Sequence, residues 1–438
     1  MPQSSSYATL EYLYGLQKFG IKLGLHNIRA ILRSLGNPEK RFPSVHVAGT
    51  NGKGSTSSMI ASVLTAAGYR VGLYTSPHLI RFNERIRING KMISNADLIR
   101  YTNKVRPAVE KNRATFFEAT TAIAFQYFAD RAVDIAVIET GLGGRFDATN
   151  TLTPLVSVIT SISKDHTQQL GKTIAAIAAE KGGIIKRRVP CVYGGGNVAA
   201  KKVLRTIAAA KQSRFIVRRE CTAILDAAGG IDGELLTLLT GCALYEDVYL
   251  SLPGAYQREN YATAILALEI LGAKGFLVNA KELRRGMGNI TRFTGLRGRC
   301  ECLRREPLVL LDVAHNPDAL TRLLALLGAV PYTKLRVVFG VMKDKDYRSM
   351  AALLEPLDPI VYAAAPAIGR ALPSDTLQRV LVGKGMQASA FESVESALFA
   401  ALKNQKHGEM LLITGSHYVA GEALDVWRSL KREKELSQ

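Results

Sequence analysis

The stretch that decides the fold of this chain is His46-Val47-Ala48-Gly49-Thr50-Asn51-Gly52-Lys53-Gly54-Ser55-Thr56. It predicts the end of a strand, a glycine-rich turn with one lysine, and a helix that begins with hydroxyl side chains. Such a turn aims backbone N–H groups, a helix N-terminus and an ammonium group at one point, which suits nucleotide phosphates. It departs from the usual G-x-x-x-x-G-K-[ST] pattern, because Val47 replaces the first glycine and Gly54 separates Lys53 from Ser55. A chance glycine cluster and the phosphate loop of one branch of nucleotide enzymes both remain open.

Length and composition predict two domains and no membrane partner. The chain has 438 residues, 47% of them hydrophobic, which is enough for a large core. It has no apolar run of about 18 residues, and residues 1–7 lack a basic region followed by an apolar one, so we expect neither a membrane span nor a secretory signal. The five cysteines are scattered and odd in number, so we expect reduced thiols in a cytoplasmic protein and no zinc site.

The formal net charge of +20 leaves several explanations open. A nucleic-acid partner, an anionic small molecule and a need for solubility each account for such a charge. The densest basic groups, Lys186-Arg187-Arg188 and Lys431-Arg432, are short and contain no aromatic residue. We therefore expect no nucleic-acid partner and favour anionic small-molecule substrates.

Short β-rich runs alternate with helical patterns through most of the chain. The runs typical of buried strands are 133–138, 156–160, 308–311, 335–340, 360–363 and 410–414. Helical periodicity appears at 174–181 and 317–327. This alternation predicts parallel sheets covered by helices on both faces. The segment 286–298 is rich in Gly, Arg and Thr, which predicts a hinge between two domains.

Polar side chains follow two of the predicted strands. Glu139 opens the polar segment 139–150, and Asp165 and His166 belong to the segment 163–166. Ligands of parallel sheets collect at the carboxyl ends of strands, so we expect these residues beside the phosphate loop. A carboxylate placed there suits Mg²⁺, directly or through water. Each residue alone is more often an ordinary surface or core residue, but clusters at successive strand ends favour a site.

The motifs in their order along the chain resemble one family. They are Gly49-Thr50-Asn51-Gly52-Lys53-Gly54-Ser55, Thr75-Ser76-Pro77-His78-Leu79, Asn83-Glu84-Arg85-Ile86-Arg87-Ile88-Asn89-Gly90, Gly141-Leu142-Gly143-Gly144-Arg145-Phe146-Asp147-Ala148-Thr149-Asn150, Asp165-His166-Thr167, Glu180-Lys181-Gly182-Gly183-Ile184-Ile185-Lys186, Asp312-Val313-Ala314-His315-Asn316-Pro317, Asp344-Lys345-Asp346 and Gly415-Ser416-His417-Tyr418. Together they resemble folylpolyglutamate synthase and bifunctional dihydrofolate synthase, which belong to the folate branch of the Mur ligase superfamily. The resemblance implies an α/β fold with an N-terminal P-loop NTPase-like domain at residues 1–292, built on a parallel-rich sheet. A smaller Rossmann-like glutamate ligase domain is implied at residues 293–438.

The implied activity is that of an ATP-dependent amide ligase. An acceptor carboxylate attacks the γ-phosphate of ATP to give an acyl phosphate and ADP, and the amine of L-glutamate then displaces phosphate. Such phosphoryl transfer depends mainly on positioning and charge neutralisation. The nucleotide-binding residues implied by the resemblance are Thr50, Asn51, Gly52, Lys53, Gly54, Ser55, Thr56, Asn260, Arg299 and Asp312.

Two Mg²⁺ ions are also implied, and a monovalent cation such as K⁺ stays open. Ser76 and Glu139 would hold the first Mg²⁺, and Glu139 and His166 the second. Lys181 stands where the family carries a lysine that can be carbamylated, which turns a cation into an anionic metal ligand. That reaction needs a neutral amine and therefore a lowered pKa for Lys181.

The resemblance places the pterin ring of the acceptor near Thr115, Phe117, Asp147 and Ala148, and we expect Phe116 in the core. An aromatic face and a carboxylate suit an amino-pterin. Ser416 either positions L-glutamate or caps a helix.

In the second domain, Asp312 and His315 are implied to face the nucleotide and the glutamate-binding cleft. Three positions depart from the family pattern. Arg297 replaces a proline, which leaves the choice between Arg297 and Arg299 open, Tyr256 replaces a frequent histidine, and Gly182 replaces a frequent alanine.

Three alternative functions each agree with part of the sequence. A Mur-type ligase of nucleotide-sugar peptides needs a separate substrate domain, and the 48 residues before Gly49 argue against it. A nucleic-acid-binding P-loop NTPase is suggested by the charge alone. An enzyme that only extends folate polyglutamates remains open, although the chain length and the Asp147-Ala148 turn favour both activities. We expect a monomer.

Overall fold

A computed structural model describes residues 5–20 and 24–436, and it describes the side chains of the final helix as far as residue 430. Residues 1–4, considered above as a possible signal segment, and the side chains of Lys431 and Arg432 lie outside the described residues.

The first sheet is built around the strand that leads into the phosphate loop. Its strands are β1 (Ser44–Ala48), β2 (Val71–Tyr74), β3 (Ile86–Ile88), β4 (Lys91–Met92), β5 (Ile135–Glu139), β6 (Val156–Ile159), β7 (Cys191–Tyr193) and β8 (Phe215–Val217). They lie in the order β4-β3-β2-β5-β1-β6-β7-β8, and every pair is parallel except the two that include β3. All five residues of β1 are buried, and its one large polar residue, His46, is bonded to the Thr149 hydroxyl at 2.8 Å.

Helices cover both faces of this sheet. They are α1 (Ser6–Gly15), α2 (His26–Ser34), α3 (Lys53–Ala66), α4 (Asn95–Lys111), α5 (Phe116–Asp130), α6 (Thr167–Leu170), α7 (Ile174–Gly182), α8 (Val198–Ala210) and α9 (Arg218–Cys221). Local sequence sets where several of them begin. Ser94, for example, accepts a hydrogen bond from the Asp97 N–H group and caps α4.

A small antiparallel sheet and three helices complete the first domain. The strands are β9 (Thr222–Gly230), β10 (Gly233–Thr240) and β11 (Leu244–Leu250), and the helices are α10 (Ala255–Gly272), α11 (Ala280–Gly288) and α12 (Ile290–Thr294). The segment predicted as a hinge, 286–298, includes the end of α11 and all of α12, and its role as a hinge stays a prediction. Gly286 serves close packing instead of flexibility, because a Cβ atom there would lie 2.6 Å from the Val63 Cα atom in α3. The predicted boundary between residues 292 and 293 falls inside α12.

The second domain contains a sheet of six strands. They are β12 (Glu301–Arg304), β13 (Leu308–Leu311), β14 (Leu335–Phe339), β15 (Ile360–Ala364), β16 (Gln387–Phe391) and β17 (Met410–Thr414), in the order β12-β13-β17-β14-β15-β16. Only β12 is antiparallel to its neighbour. The helices are α13 (Pro317–Leu327), α14 (Tyr347–Leu354), α15 (Ser374–Val382), α16 (Val394–Asn404) and α17 (His417–Leu436).

The predicted α/β fold, with a parallel-rich first sheet and a separate second α/β domain, is confirmed. The strands predicted at 308–311 and 410–414 agree with β13 and β17 residue for residue. In residues 5–20 and 24–436, no helix combines the length and the apolar character that a membrane span requires.

Candidate active site

A cleft lies between the two sheets, at the carboxyl ends of their strands. The first domain contributes residues that follow β1, β2, β5 and β6, and the second contributes residues that follow β13, β14 and β17. Carboxyl ends of parallel strands are the usual ligand-binding edge of such sheets. The polar clusters predicted from the sequence therefore meet a second set of polar residues from the other domain.

The glycines of the phosphate loop are required by its geometry. Gly52 has a φ of +86° and directly precedes α3, and a Cβ atom there would overlap the Asn260 side chain. A Cβ atom at Gly49 would overlap the Thr160 hydroxyl. The Lys53 ammonium lies over the loop, with Nζ 3.2 Å from the Gly49 carbonyl oxygen and 3.1 Å from that of Thr50. The conformation of the loop therefore requires its glycines, which argues against a chance cluster.

Glu139, the last residue of β5, is a buried carboxylate at the floor of the cleft. It is 4% exposed, and its Oε2 accepts a hydrogen bond of 3.2 Å from the Ser76 N–H group. No cation among the described residues forms an ion pair with it. Burial raises the pKa of Glu139, and the nearby Lys53 ammonium opposes that rise. Such a carboxylate is available to a cationic ligand.

Lys181 and His166 lie beside the phosphate loop. The Lys181 Nζ donates to the Gly49 carbonyl oxygen at 2.6 Å, and the side chain is buried. Burial, together with the Lys53 charge, lowers the pKa of Lys181 to about 7. Burial also lowers the pKa of His166 to about 4, so its imidazole is neutral at physiological pH. A neutral amine and a neutral imidazole are both available as nucleophile or ligand.

Asp165 joins the two domains. Its carboxylate accepts hydrogen bonds from Lys345 Nζ at 2.5 Å and from Asn316 Nδ2 at 3.2 Å, and it lies 3.5 Å from His315 Nε2. Its hydrogen bonds and the charge of Lys345 overcome the effect of burial and hold the pKa of Asp165 far below its usual range. Asn51 of the phosphate loop extends this junction, because it bonds to Asn316 and to Asp318.

In the second domain, Asp312 fixes the loop that carries Arg299. It accepts from the Cys300 N–H group at 2.7 Å and from the Ala314 N–H group at 2.8 Å, while burial raises its pKa. Arg299 lines the cleft, whereas Arg297 is ion-paired with Glu301.

His315 and Ser416 also line the cleft. The His315 Nδ1 lies 3.0 Å from the Val313 carbonyl oxygen. The Ser416 hydroxyl accepts from the Val419 N–H group at 3.1 Å, which is the helix-capping arrangement.

Of the residues predicted to contact the pterin, Phe117 lines the cleft, whereas Thr115, Asp147 and Ala148 do not. Phe117 is 41% exposed and lines the cleft, whereas Phe116 is in the core as expected. Thr115 caps α5 and does not line the cleft. Asp147 is tied by hydrogen bonds to the Leu142 and Thr149 N–H groups.

The structure brings most, but not all, of the predicted residues to the cleft. The cleft is lined by Thr50, Asn51, Gly52, Lys53, Gly54, Ser55, Ser76, Phe117, Glu139, His166, Lys181, Asn260, Arg299, Asp312, His315 and Ser416. The predicted residues that do not line it are Thr56, Thr115, Asp147 and Ala148. The N–H group of Thr56 donates to the Gly52 carbonyl oxygen inside the helix, and its side chain is buried.

The sequence predicts Asp165 beside the phosphate loop without a role, and it gives no role to Lys345, Asn316 or Arg85, which also lie at this site. Each belongs to one of the quoted motifs, and that membership was the available signal.

Two family models match the chain. The Mur ligase middle domain matches residues 47–268, and the Mur ligase glutamate ligase domain matches residues 298–417. This chain belongs to the Mur ligase family.

Relatives place it in the folate branch of that family. It is 37% identical to the dihydrofolate synthase/folylpolyglutamate synthase of Bacillus subtilis, covering 93% of this chain and 95% of the relative. It is 36% identical to the folylpolyglutamate synthase of Lacticaseibacillus casei, covering 94% of this chain and 96% of the relative. The solved structure of Escherichia coli FolC in complex with DHPP and ADP superposes with a TM-score of 0.90 at 30% identity, covering 98% and 100% of the two chains. The Mur ligase described here is accordingly an ATP-dependent amide ligase.

Proposed function

We propose that this Mur ligase joins L-glutamate to dihydropteroate and to the glutamate tail of reduced folates, through an acyl phosphate. The observation that carries the proposal is that the phosphate loop, Glu139 and Lys181 share one cleft with Arg299 and His315 of the second domain. A ligase of two small substrates and ATP needs such a cleft, because all three reacting groups must meet away from water. We further propose a cytoplasmic monomer without a nucleic-acid partner.

In the first step, an oxygen of the acceptor carboxylate attacks the γ-phosphorus of ATP. The bond between that phosphorus and the oxygen bridging to the β-phosphate breaks, and ADP leaves. Lys53 and the N–H groups of the loop neutralise the phosphates, and Arg299 reaches the same charge from the second domain. Charge neutralisation by preorganised donors is the main contribution of a protein to this chemistry.

The residues at the floor of the cleft fit Mg²⁺. No group of three or more His, Cys, Asp and Glu side chains occurs close together in the described parts of the chain. Mg²⁺ does not require one, because it commonly binds one or two carboxylates and completes its shell with water and phosphate oxygens. Glu139, unpaired and beside Ser76, offers the carboxylate, and we propose that Ser76, Glu139 and His166 hold two ions. When bound, Mg²⁺ would neutralise charge on the β- and γ-phosphates.

Lys181 has the property that carbamylation requires. At its pKa of about 7, much of its amine is neutral at physiological pH and can react with CO₂. We propose that the carbamate supplies an anionic oxygen beside His166. In the amine form, the same side chain donates to the Gly49 carbonyl oxygen.

In the second step, the amine nitrogen of L-glutamate attacks the acyl carbon. The bond from that carbon to the phosphate oxygen breaks, phosphate leaves, and the amine gives up a proton. His315 and Ser416 face the cleft from the second domain, where they can orient the glutamate. Since Asp165 joins both domains at this point, closure of the cleft and placement of the amine are coupled.

The test is product formation with dihydropteroate and with tetrahydrofolate in parallel, each requiring ATP and L-glutamate. We expect ADP and one added glutamate with both acceptors, and no product from the Lys53→Ala variant. Activity with tetrahydrofolate alone would favour the second candidate, a folylpolyglutamate synthase only, which the Lacticaseibacillus casei relative supports. Activity with neither acceptor would overturn the proposal.

A further inference from the structure

Arg85 is a buried cation without a carboxylate partner. It lies at the end of a short 3-10 turn (Phe82–Arg85) and is 6% exposed. Its Nε donates to His78 Nδ1 at 2.8 Å, while its Nη1 is enclosed and has no hydrogen-bond partner among the described residues. Burying a charge without a counter-ion is costly, so its retention calls for an explanation.

The neighbours of Arg85 hold its guanidinium in place without neutralising it. Because Arg85 Nε can only donate, His78 Nδ1 must accept, and His78 Nε2 lies 3.4 Å from the Tyr14 hydroxyl. Burial and the Arg85 charge lower the pKa of His78 to about 3, so this imidazole is neutral. The guanidinium carbon also lies 5.3 Å from the centre of the Phe116 ring. The guanidinium is therefore held at its Nε and has no hydrogen-bonded counter-ion among the described residues, although the Glu139 carboxylate attracts its charge through space.

Arg85 lines the main cleft on the acceptor side. Phe116, which it contacts, packs edge to face against Phe117, with ring centres 5.5 Å apart. Phe117 is the exposed aromatic residue of the proposed pterin site. Lys53 and Arg299 already serve the phosphates, and His315 and Ser416 face the cleft from the opposite domain.

We propose that Arg85 binds the carboxylate end of the pteroyl acceptor. This assignment rests on the proposed function, since it names the residue that holds the acceptor in that reaction. Its Nε is used by His78 and its Nη1 is enclosed, so Nη2 is the donor left for a ligand, and a charge-assisted hydrogen bond from it suits a carboxylate. Aromatic residues beside it suit the ring that carries the carboxylate. The sequence motif 83–90 then has a function in addition to shaping the turn.

The test compares the binding of dihydropteroate with that of its uncharged carboxamide, by fluorescence titration in the presence of ADP. Wild-type protein should prefer the acid. Arg85→Met should bind the acid about 10- to 100-fold more weakly and bind the carboxamide as wild type does. Arg85→Lys should fall between the two, because an ammonium keeps the charge and loses the fixed direction of the guanidinium N–H groups.

Arg87→Met is the matched control. Arg87 is also buried and lies two residues along the chain, but it donates to the carbonyl oxygens of Glu84 and Gly90. This variant should lower the melting temperature and keep the preference for the acid. Arg85→Met should leave the melting temperature nearly unchanged, because it removes an unpaired buried charge.

Three results would overturn the assignment. They are an unchanged preference for the acid in Arg85→Met, a weaker affinity of that variant for ADP, and a loss of thermal stability equal to that of Arg87→Met. If wild-type protein binds neither dihydropteroate nor its carboxamide, the proposed function itself is contradicted, and the assignment of Arg85 with it.

Discussion

Glu139 and Asp165 are buried carboxylates at the same edge of the same sheet, yet their surroundings differ. Glu139 accepts one hydrogen bond from the Ser76 N–H group and has no ion pair, so burial raises its pKa. Asp165 is bonded to Lys345 and Asn316 of the other domain, and its pKa is held far below the usual range. Burial alone therefore does not reveal the role of a carboxylate. The partners do: an unpaired one is available to a ligand, and a paired one joins parts of the protein.

Glu139→Gln tests whether the unpaired carboxylate serves a ligand, and it should have the largest effect. We expect ADP formation in a single turnover to slow by about 10³-fold, because the removed charge faces the phosphates. The melting temperature should stay the same or rise, since a buried charge without a partner is lost. In wild type, activity should fall as the pH drops toward the raised pKa of Glu139, because the protonated carboxyl no longer carries the charge. Near-normal turnover in Glu139→Gln would show that this carboxylate is not needed.

Lys181→Ala tests whether a second anionic group completes the site beside Glu139. We expect about a 100-fold loss of ligase activity, comparable to the loss of one preorganised charge-stabilising group. Added short carboxylic acids should restore part of it. For wild type, removal of CO₂ and bicarbonate should lower activity, more so below pH 7, where the Lys181 amine is protonated. Lys181→Met is the control, because its side chain fills the space of the lysine stem and leaves no room for an added acid, so it should show no rescue.

Asp165→Asn tests whether the paired carboxylate holds the two domains together. It leaves the buried Lys345 ammonium without its carboxylate, which costs about 3–5 kcal/mol in other buried pairs. We expect kcat/KM to fall about 10- to 100-fold, because the two domains close less well over the cleft. Each factor of ten corresponds to a free-energy change of about 1.4 kcal/mol.

A double-mutant cycle with Lys345→Met measures how strongly the Asp165 pair couples the domains. If Asp165 acts through Lys345, the double variant should be less impaired than the sum of the single changes. Because the folded pKa of Asp165 is lowered, its contribution to stability is present above pH 4 and lost as the pH falls below about 4. Asp165→Asn should lack that acid-dependent loss. Full additivity in the cycle would contradict a direct link.

Arg297→Ala extends the comparison to cations and should have the smallest effect. Arg297 is ion-paired with Glu301 and partly exposed, so its removal should change kcat/KM less than about threefold, in line with the small energies of such pairs. Arg299 lines the cleft, and within the described parts of the chain it makes one side-chain hydrogen bond, to the Gly298 carbonyl oxygen. Arg299→Ala, the partner experiment, should slow ADP formation about 100-fold. Equal effects of the two changes would contradict the conclusion that an unpaired charged group in the cleft serves a ligand and a paired one joins parts of the protein.

Sequence alone predicted the parts of the site that depend on local structure. The phosphate loop, Glu139 and Asp312 were predicted because a strand pattern and its following polar residue are neighbours in the chain. The predicted pterin contacts Thr115 and Ala148 do not line the cleft, and Thr115 caps α5 instead. Their roles, and the boundary between residues 292 and 293, stay predictions.

The junction between the domains could not be predicted. Lys345 and Asp165 are 180 residues apart in the sequence, so no spacing or periodicity indicates that they meet. Arg85 posed the same difficulty, because what distinguishes it is the absence of a carboxylate partner in the described structure. Such properties depend on packing between distant segments, and a motif records only that a residue is present.

The order of strands in the second sheet has a consequence for protein synthesis. β17 pairs with β13 and β14, although the ribosome makes it after β12 to β16. Until residues 410–414 emerge, β13 and β14 each carry an open edge, which invites pairing with other chains. The first sheet has the same feature, because β5 enters between β1 and β2 after both have been made. In both domains, strands made early therefore keep an open edge until a later strand of the same sheet emerges.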